Sequence, residues 1–216
     1  MIYACTRRIS DSAESAEKRM REAGLSFLVD FCSSDRGKNE NAYLGRLIAY
    51  ETMAIFVKRM TGSNISEIRR DSLGKPYLPN EPLCFSISHT EGVVLVAVSD
   101  EKHICSVGAD AQIRIDNDRA IRMRERYFPT LSLNKNMRDE KIKFYSLEAD
   151  CLSEIQSTWT GSDLTSLWTY AEALMKCDGR GFGSIGDIDT LSCECKWDGR
   201  CVMLDGEEFY LTVAYR

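Results

Sequence analysis

Along the chain the hydrophobic patterning runs strand, helices, strands, and then strand, helices, strands again. Residues 2–9 alternate as a strand does. Residues 10–32, SDSAESAEKRMREAGLSFLVDFC, read as one helix capped by Ser10 or Asp11, with Met20, Leu25, Phe27, Leu28 and Phe31 as its apolar contacts. After the polar stretch SSDRGKNEN, residues 42–60 form a second helix that buries Leu44, Leu47, Ile48, Met53, Ile55, Phe56 and Val57, with Arg46 between them. The glycine and prolines of RDSLGKPYLPNEPLC make a loop or broken strand. LCFSISHT and VVLVAVSD then read as two strands joined by a tight Glu-Gly turn. In the second half ICSVGADAQI is a strand, followed by a helix over 117–128. Residues 129–160 carry the weakest pattern, and KIKFYSLEADCLSEI within them is compatible with a helix. A helix over 163–177 shows the stripe Leu164, Leu167, Ala171, Leu174 and ends in the glycine-rich DGRGFG. LSCECKW, CVMLD and FYLTVAYR finish the chain as strands joined by Asp-Gly turns. The repeated order predicts an α+β fold of two similar α/β subdomains, residues 1–102 and 103–216, in a pseudo-twofold relation.

Composition narrows the function. The charged share is that of an ordinary globular protein, and a formal net charge of −5 disfavours a nucleic-acid partner, which calls for a dominant basic surface. No apolar run approaches the roughly 18 residues a membrane helix needs, so no membrane association is expected. The segment MIYACTRRIS lacks a signal-peptide core, and a cytoplasmic location is expected. The nine cysteines are scattered, contain no C-x-x-C pair, and are accompanied by only two histidines. Free, mostly buried thiols are expected, rather than a zinc site or disulfides.

Four sets of polar residues interrupt apolar patterns. Asp110 and Gln112 share one face of the strand VGADAQI, while Ala109, Ala111 and Ile113 share the other. A buried carboxylate costs several kcal/mol unless it is paired. Ser88 and His89 end the strand FSISHT, and Lys75 sits in GKP. Glu172 and Lys176 lie four apart on one face of the last long helix. Taken singly, each has a plain reading: a carboxylate capping a strand end, a histidine bonded to backbone, a turn lysine, a surface ion pair.

Taken in order, GKPYL, FSISHT, VGADAQ and LWTYAEALMK…GRG resemble the 4′-phosphopantetheinyl transferase superfamily in its two-subdomain, surfactin-synthetase-activating type, over about Gly74 to Gly183, half the chain. The family pattern is GKP, FSISHS, GIDIE and WxxKEAxxK. The resemblance implies two α/β subdomains with coenzyme A in the cleft between them. It implies Mg²⁺-dependent transfer of the phosphopantetheine arm of coenzyme A to a serine of an acyl or peptidyl carrier protein, with release of 3′,5′-ADP. By this resemblance Asp110 and Glu172 are the metal carboxylates, Mn²⁺ can replace Mg²⁺, and Lys176 faces the phosphates. Ser88 and His89 hold coenzyme A phosphates, Lys75 lies at the nucleotide end, and Arg46 meets the 3′-phosphate. Asp110, Glu172 and Lys176 are thus the implied catalytic set, with Glu172 the implied acceptor of the carrier serine's proton, directly or through a metal-bound water. A monomer is expected, because one chain supplies both halves.

Three positions depart from the pattern. Gln112 stands where the family has glutamate, which keeps an oxygen donor for the metal and loses a charge. Ala171 replaces a lysine and has the spacing of the core stripe. After RYF the family often has a glutamate, where this chain offers Thr130 and Ser132. The segment DNDRAIRMRERYF places Arg119, Arg122 and Arg126 on one helical face, with Ala120, Met123 and Tyr127 on another and Asp116 or Asn117 as cap. We expect the arginines to steer an acidic carrier protein. Gln112 and Ala171 motivate one alternative, a non-catalytic relative that binds coenzyme A or a carrier. A plain interaction module, with Glu172 and Lys176 as a surface pair, is the other.

Overall fold

The computed structural model describes residues 1–37, 39–148, 151–157 and 164–216. The chain opens with β1 (Ile2–Arg8), α1 (Ala13–Glu22), α2 (Ser26–Cys32) and the long α3 (Glu40–Thr61). The short β2 (Arg69–Arg70) and β3 (Pro76–Tyr77) precede the hairpin of β4 (Cys84–Thr90) and β5 (Val93–Ser99). Then come β6 (Val107–Ile113), α4 (Asn117–Tyr127), β7 (Lys143–Glu148) and β8 (Cys151–Glu154). The chain ends with α5 (Leu164–Asp178), α6 (Ile188–Glu194), β9 (Lys196–Leu204) and β10 (Glu207–Tyr215).

The strands form a five-stranded sheet in the order β4-β5-β1-β7-β8, a three-stranded sheet in the order β6-β10-β9, and the β2-β3 pair. β5 is buried on both faces along its whole length, because two layers cover it. Val94, Val96 and Val98 pack with Leu47, Ile48 and Met53 of α3, in one core. Val93, Leu95 and Ala97 meet Ala109 and Ala111 of β6 and Leu211 and Val213 of β10, in a second core shared by the two sheets. The far face of the small sheet packs under α5, where Tyr210 and Ala214 join Tyr170 and Leu174. The order is therefore helices, sheet, sheet, helices, a mixed α+β arrangement. The sheets differ in size, and a pseudo-twofold relation is not evident from them.

Several local expectations change. Residues 10–32 form two helices, because the chain bends at Gly24, whose φ of 78° is a conformation glycine adopts freely. The cap is Ser12, whose side chain accepts from the Ser15 amide, and neither Ser10 nor Asp11. Residues 141–155 hold the strands β7 and β8, not a helix. β7 runs parallel to β1, with Ala4 opposite Phe144, so β7 and β8 of the second half complete the sheet of the first. LSCECKW is split: α6 ends at Glu194 and β9 begins at Lys196. Asp198 and Gly199 lie inside β9 and make no turn, whereas Asp205 and Gly206 do turn, both with positive φ. Ala149, Asp150 and Asp163, the last expected to start the α5 helix, lie outside the described residues. All nine cysteines are free, but only Cys5, Cys32, Cys177 and Cys195 are buried. No helix among the described residues is long and apolar enough to cross a membrane.

Candidate active site

The site begins with a close approach. β6 and α5 pack so tightly that a Cβ on Gly108 would lie 2.0 Å from the Ala173 carbonyl oxygen and 2.3 Å from the Cys177 amide nitrogen. Only glycine permits this contact. Ala171 and Leu174 bury the other side of the helix. The next residue of β6 that shares Gly108's face is Asp110, so Asp110 meets the helical face that carries Glu172 and Lys176.

Asp110 is 5% exposed, and its charge is answered by the protein. Lys176 Nζ donates to Asp110 Oδ1 at 2.7 Å and to Ser88 Oγ at 2.9 Å, and the Ser88 hydroxyl donates to the same Oδ1 at 2.8 Å. The triangle joins β4, β6 and α5. Glu172, half-buried one turn before Lys176, has its carboxyl pushed up to about 7. Burial is the main cause, repulsion by Asp110 adds to it, and Lys176 opposes it. Lys176 pairs with Asp110, and Glu172 stands near them as a second acid that feels both charges; when it is ionised the group is net negative and favours a further cation. Gln112 lies on the Asp110 face where burial along β6 becomes partial.

β4 is the free edge of its sheet, and it meets β6 through side chains and not through a backbone ladder. Ser86 Oγ accepts from the Ala109 amide at 3.0 Å, and Ser88 reaches Asp110 as described. His89 turns to α3 and fits there because residue 45 is glycine: a Cβ on Gly45 would sit 2.8 Å from His89 Nδ1. Arg46 follows on the same helix. Arg46, Ser88, His89 and Lys176 line one cavity of about 270 Å³, together with Tyr50, Arg70, Pro76 and Ile87.

Lys75 is placed differently. Its ammonium donates to Ser106 Oγ at 2.9 Å, to Val107 O at 3.1 Å and to Lys176 O at 2.9 Å, with Cys177 O at 3.4 Å. An ammonium has three protons, and these acceptors use them. Burial lowers the Lys75 pKa. Lys75 therefore ties the loop before β3 to the start of β6 and to the last carbonyls of α5, a favourable place for a cation. It lines a second cavity of about 270 Å³, which shares Pro76, Ile87 and Lys176 with the first.

Arg119, Arg122 and Arg126 lie exposed on α4, which Asp116 caps through the Arg119 amide. Tyr127 and Phe128 pack against Trp168 of α5, with ring centroids 6.2 and 5.6 Å apart, so α4 is fixed to the helix that carries Glu172. Ala120 is buried, and Met123 and Tyr127 are half-buried. Thr130, at the position that lacks an acid, donates to Asp189 of α6 at 2.6 Å.

Sequence reasoning missed Arg70, Tyr50, Gly45 and Gly108. The only signal for Gly108 was a glycine inside an apolar strand. A buried acid is not by itself a site. Glu51 of α3 is 4% exposed but bound by Arg7 and by both Nε and Nη2 of Arg19. Asp198 is held by Arg138, by Arg200 and by the Gly199 amide. Both belong to closed networks away from the cavity, whereas Asp110 lies beside a second carboxylate at the cavity's edge.

Among the described residues no group of three or more His, Cys, Asp or Glu side chains is arranged to hold a metal. Two carboxylates still suit Mg²⁺, which keeps its waters and takes one or two carboxylates along with substrate phosphate. The repulsion between Asp110 and Glu172 is the feature such an ion would relieve, and in that sense the residues fit it. No model of a known protein family matches the chain, and no curated protein matches it.

Proposed function

We propose that the protein transfers 4′-phosphopantetheine from coenzyme A to a serine hydroxyl of an acyl or peptidyl carrier protein, releasing 3′,5′-ADP. The observation that carries this reading is the junction of Asp110, Glu172, Lys176 and Ser88 at the edge of a cavity that also bears Arg46 and His89. Coenzyme A would lie along the seam between β4 and β6. On this reading the seam is a cleft between two functional halves, with the nucleotide on the side of residues 1–102 and the chemistry on the side of residues 103–216.

Asp110 and Glu172 would hold Mg²⁺ or Mn²⁺, and Gln112 would add a neutral oxygen directly or through water. Bound there, the ion would offset charge on the diphosphate and polarise its oxygens. Arg46, His89 and Ser88 would bind phosphate groups by charge-assisted hydrogen bonds. Lys176 would stabilise the charge that develops on the departing phosphate oxygen. Glu172 would take the serine proton, directly or through a metal-bound water, as the new P–O bond forms and the diphosphate P–O bond breaks. The exposed arginines of α4 would steer the acidic carrier toward this edge.

The test is mass spectrometry of apo carrier proteins incubated with coenzyme A, Mg²⁺ and enzyme. A gain of one phosphopantetheine is expected, and Asp110→Ala and Glu172→Gln should each lower its rate about 100-fold or more. Bound coenzyme A with no transfer to any carrier would instead identify a non-catalytic relative. A melting temperature unmoved by coenzyme A would point to an interaction module.

A further inference from the structure

Thr212 of β10 is fully buried, and its Oγ1 has no hydrogen-bond partner. Such a group is costly, because a buried hydroxyl gives up its bonds to water. Other buried threonines avoid the cost: Thr52 Oγ1 donates to Ile48 O at 2.7 Å, Thr169 Oγ1 to Thr165 O at 2.6 Å and Thr6 Oγ1 to Val94 O at 2.9 Å. On one flank Thr212 faces Gly199 of β9, which brings no side chain. On the other it faces Asp110 of β6. Leu211 and Val213 point into the core between the sheets, so Thr212 points to the α5 side, as Asp110 does. Directly opposed residues on one face hold their Cβ atoms about 4.5–5.5 Å apart, within reach of a hydroxyl–carboxylate bond. Asp110 has room for that bond. Lys176 and Ser88 both donate to its Oδ1, and no group among the described residues donates to its Oδ2. The one other unpartnered buried side-chain atom among the described residues, Arg200 Nε, lies on the opposite face of the small sheet, where its guanidinium covers Phe144.

We propose that Thr212 is a positioning residue: once Lys176 leaves Asp110 for a phosphate, the Thr212 hydroxyl donates to the Asp110 carboxylate and keeps it aimed at a divalent cation. The inference rests on the transferase reading, which supplies the cation and the phosphate. It accounts for a threonine where the strand itself asks only for valine, which has the same branching and no hydroxyl to satisfy. Carboxylates that ligate metals are themselves oriented by hydrogen bonds from a surrounding shell, and loss of one such donor typically costs about 10–100-fold in affinity.

The test is Mn²⁺ binding to the intact chain, alone and with coenzyme A, read from the electron paramagnetic resonance of the free ion. Wild type is compared with Thr212→Val, Thr212→Ser and Asp110→Ala, the last marking the ion bound at this site. Thr212→Val should weaken Mn²⁺ about tenfold or more in the sample with coenzyme A. Without metal it should melt no lower than wild type, because it removes an unanswered hydroxyl and keeps the branched shape. Thr212→Ser should hold Mn²⁺ affinity within about threefold and melt lower, since it keeps the hydroxyl and leaves a methyl-sized void. Affinity that follows the hydroxyl while stability follows the methyl is what positioning demands and a structural role does not. Wild-type affinity in Thr212→Val, or equal losses in Thr212→Val and Thr212→Ser, would overturn the proposal and leave the metal reading standing. Thr212→Val melting well below wild type without metal would overturn it too, by showing that the hydroxyl serves the fold. Should wild type bind no Mn²⁺ in either sample, or bind it equally well after Asp110→Ala, the metal reading falls and the role of Thr212 with it.

Discussion

Gly108→Ala tests the contact on which the site is built. The added methyl would sit 2.0 Å from the Ala173 carbonyl oxygen, where ordinary contact begins at 3.4 Å. The three nearest atoms are all α5 backbone, so no side chain can swing away. The helix must retreat by about 1.4 Å. That displacement stretches the Lys176–Asp110 bond from 2.7 Å to about 4 Å, beyond hydrogen-bonding range. Overpacking costs about 1–3 kcal/mol, and the weakened charged bond adds up to about 1.5–3 kcal/mol. A total near 3–5 kcal/mol corresponds to a fall of about 10 °C in Tm for a chain of this length. Catalysis should fall further, because a shift of about 1 Å in a positioned group can cost about 100-fold. Thermal melts followed by circular dichroism measure the first effect, and the carrier assay at 20–25 °C below the variant's midpoint, roughly where two-state unfolding is negligible, measures the second. Gly186→Ala is the control, since a Cβ there meets nothing within 4 Å. If Gly108→Ala melts with the wild type, α5 does not rest on β6 as described and the reasoning fails.

Glu172→Gln gives a pH signature in the metal-free protein. The folded pKa is raised from 4.5 to about 7, so ionisation destabilises the fold as pH rises through that window. The variant should gain on the order of 3 kcal/mol over wild type at pH 8 and almost nothing below pH 4.5, as read by urea melts across pH. Lys75→Met leaves carbonyls of α5 and β6 without their donor and should lose about 1–3 kcal/mol in the same melts. Lys75→Arg should not restore it, because a guanidinium cannot place three protons on those acceptors. Reversing Arg122 and Arg126 to glutamate should raise the carrier KM about tenfold and leave the coenzyme A KM unchanged, and an equal rise in both would remove these residues from carrier binding.

How much was legible depends on where the information lies. Asp110, Ser88, Glu172 and Lys176 could be singled out because each breaks an apolar period, and burial makes such breaks costly unless they are answered. Arg70 breaks no pattern; it matters because Phe31 and Tyr50, distant in sequence, hold it at the cavity. β7 was unreadable for a related reason. KIKFYSLE mixes helix and strand formers, and its parallel pairing with β1 decides between them. Asp198-Gly199 carries a turn signal that loses to tertiary bonding, since Arg138 and Arg200 clamp the aspartate inside a strand. Lys75 shows the reverse case: its motif was visible, but only the fold reveals that its protons are spent on the Ser106 hydroxyl and on backbone carbonyls.

The pairing of β1 with β7 bears on synthesis. β1 leaves the ribosome well before β7, and one of its edges is covered only when residue 143 and its neighbours follow. At about 5–20 residues per second the gap lasts on the order of 10 s. Through that interval the nascent chain holds a bare ladder of amides and carbonyls beside a hairpin rich in valine, an invitation to intermolecular pairing. Slower growth temperatures or abundant holdase chaperones should therefore raise the soluble yield. Co-expressing residues 1–102 and 103–216 as separate pieces should give insoluble material unless the two meet promptly.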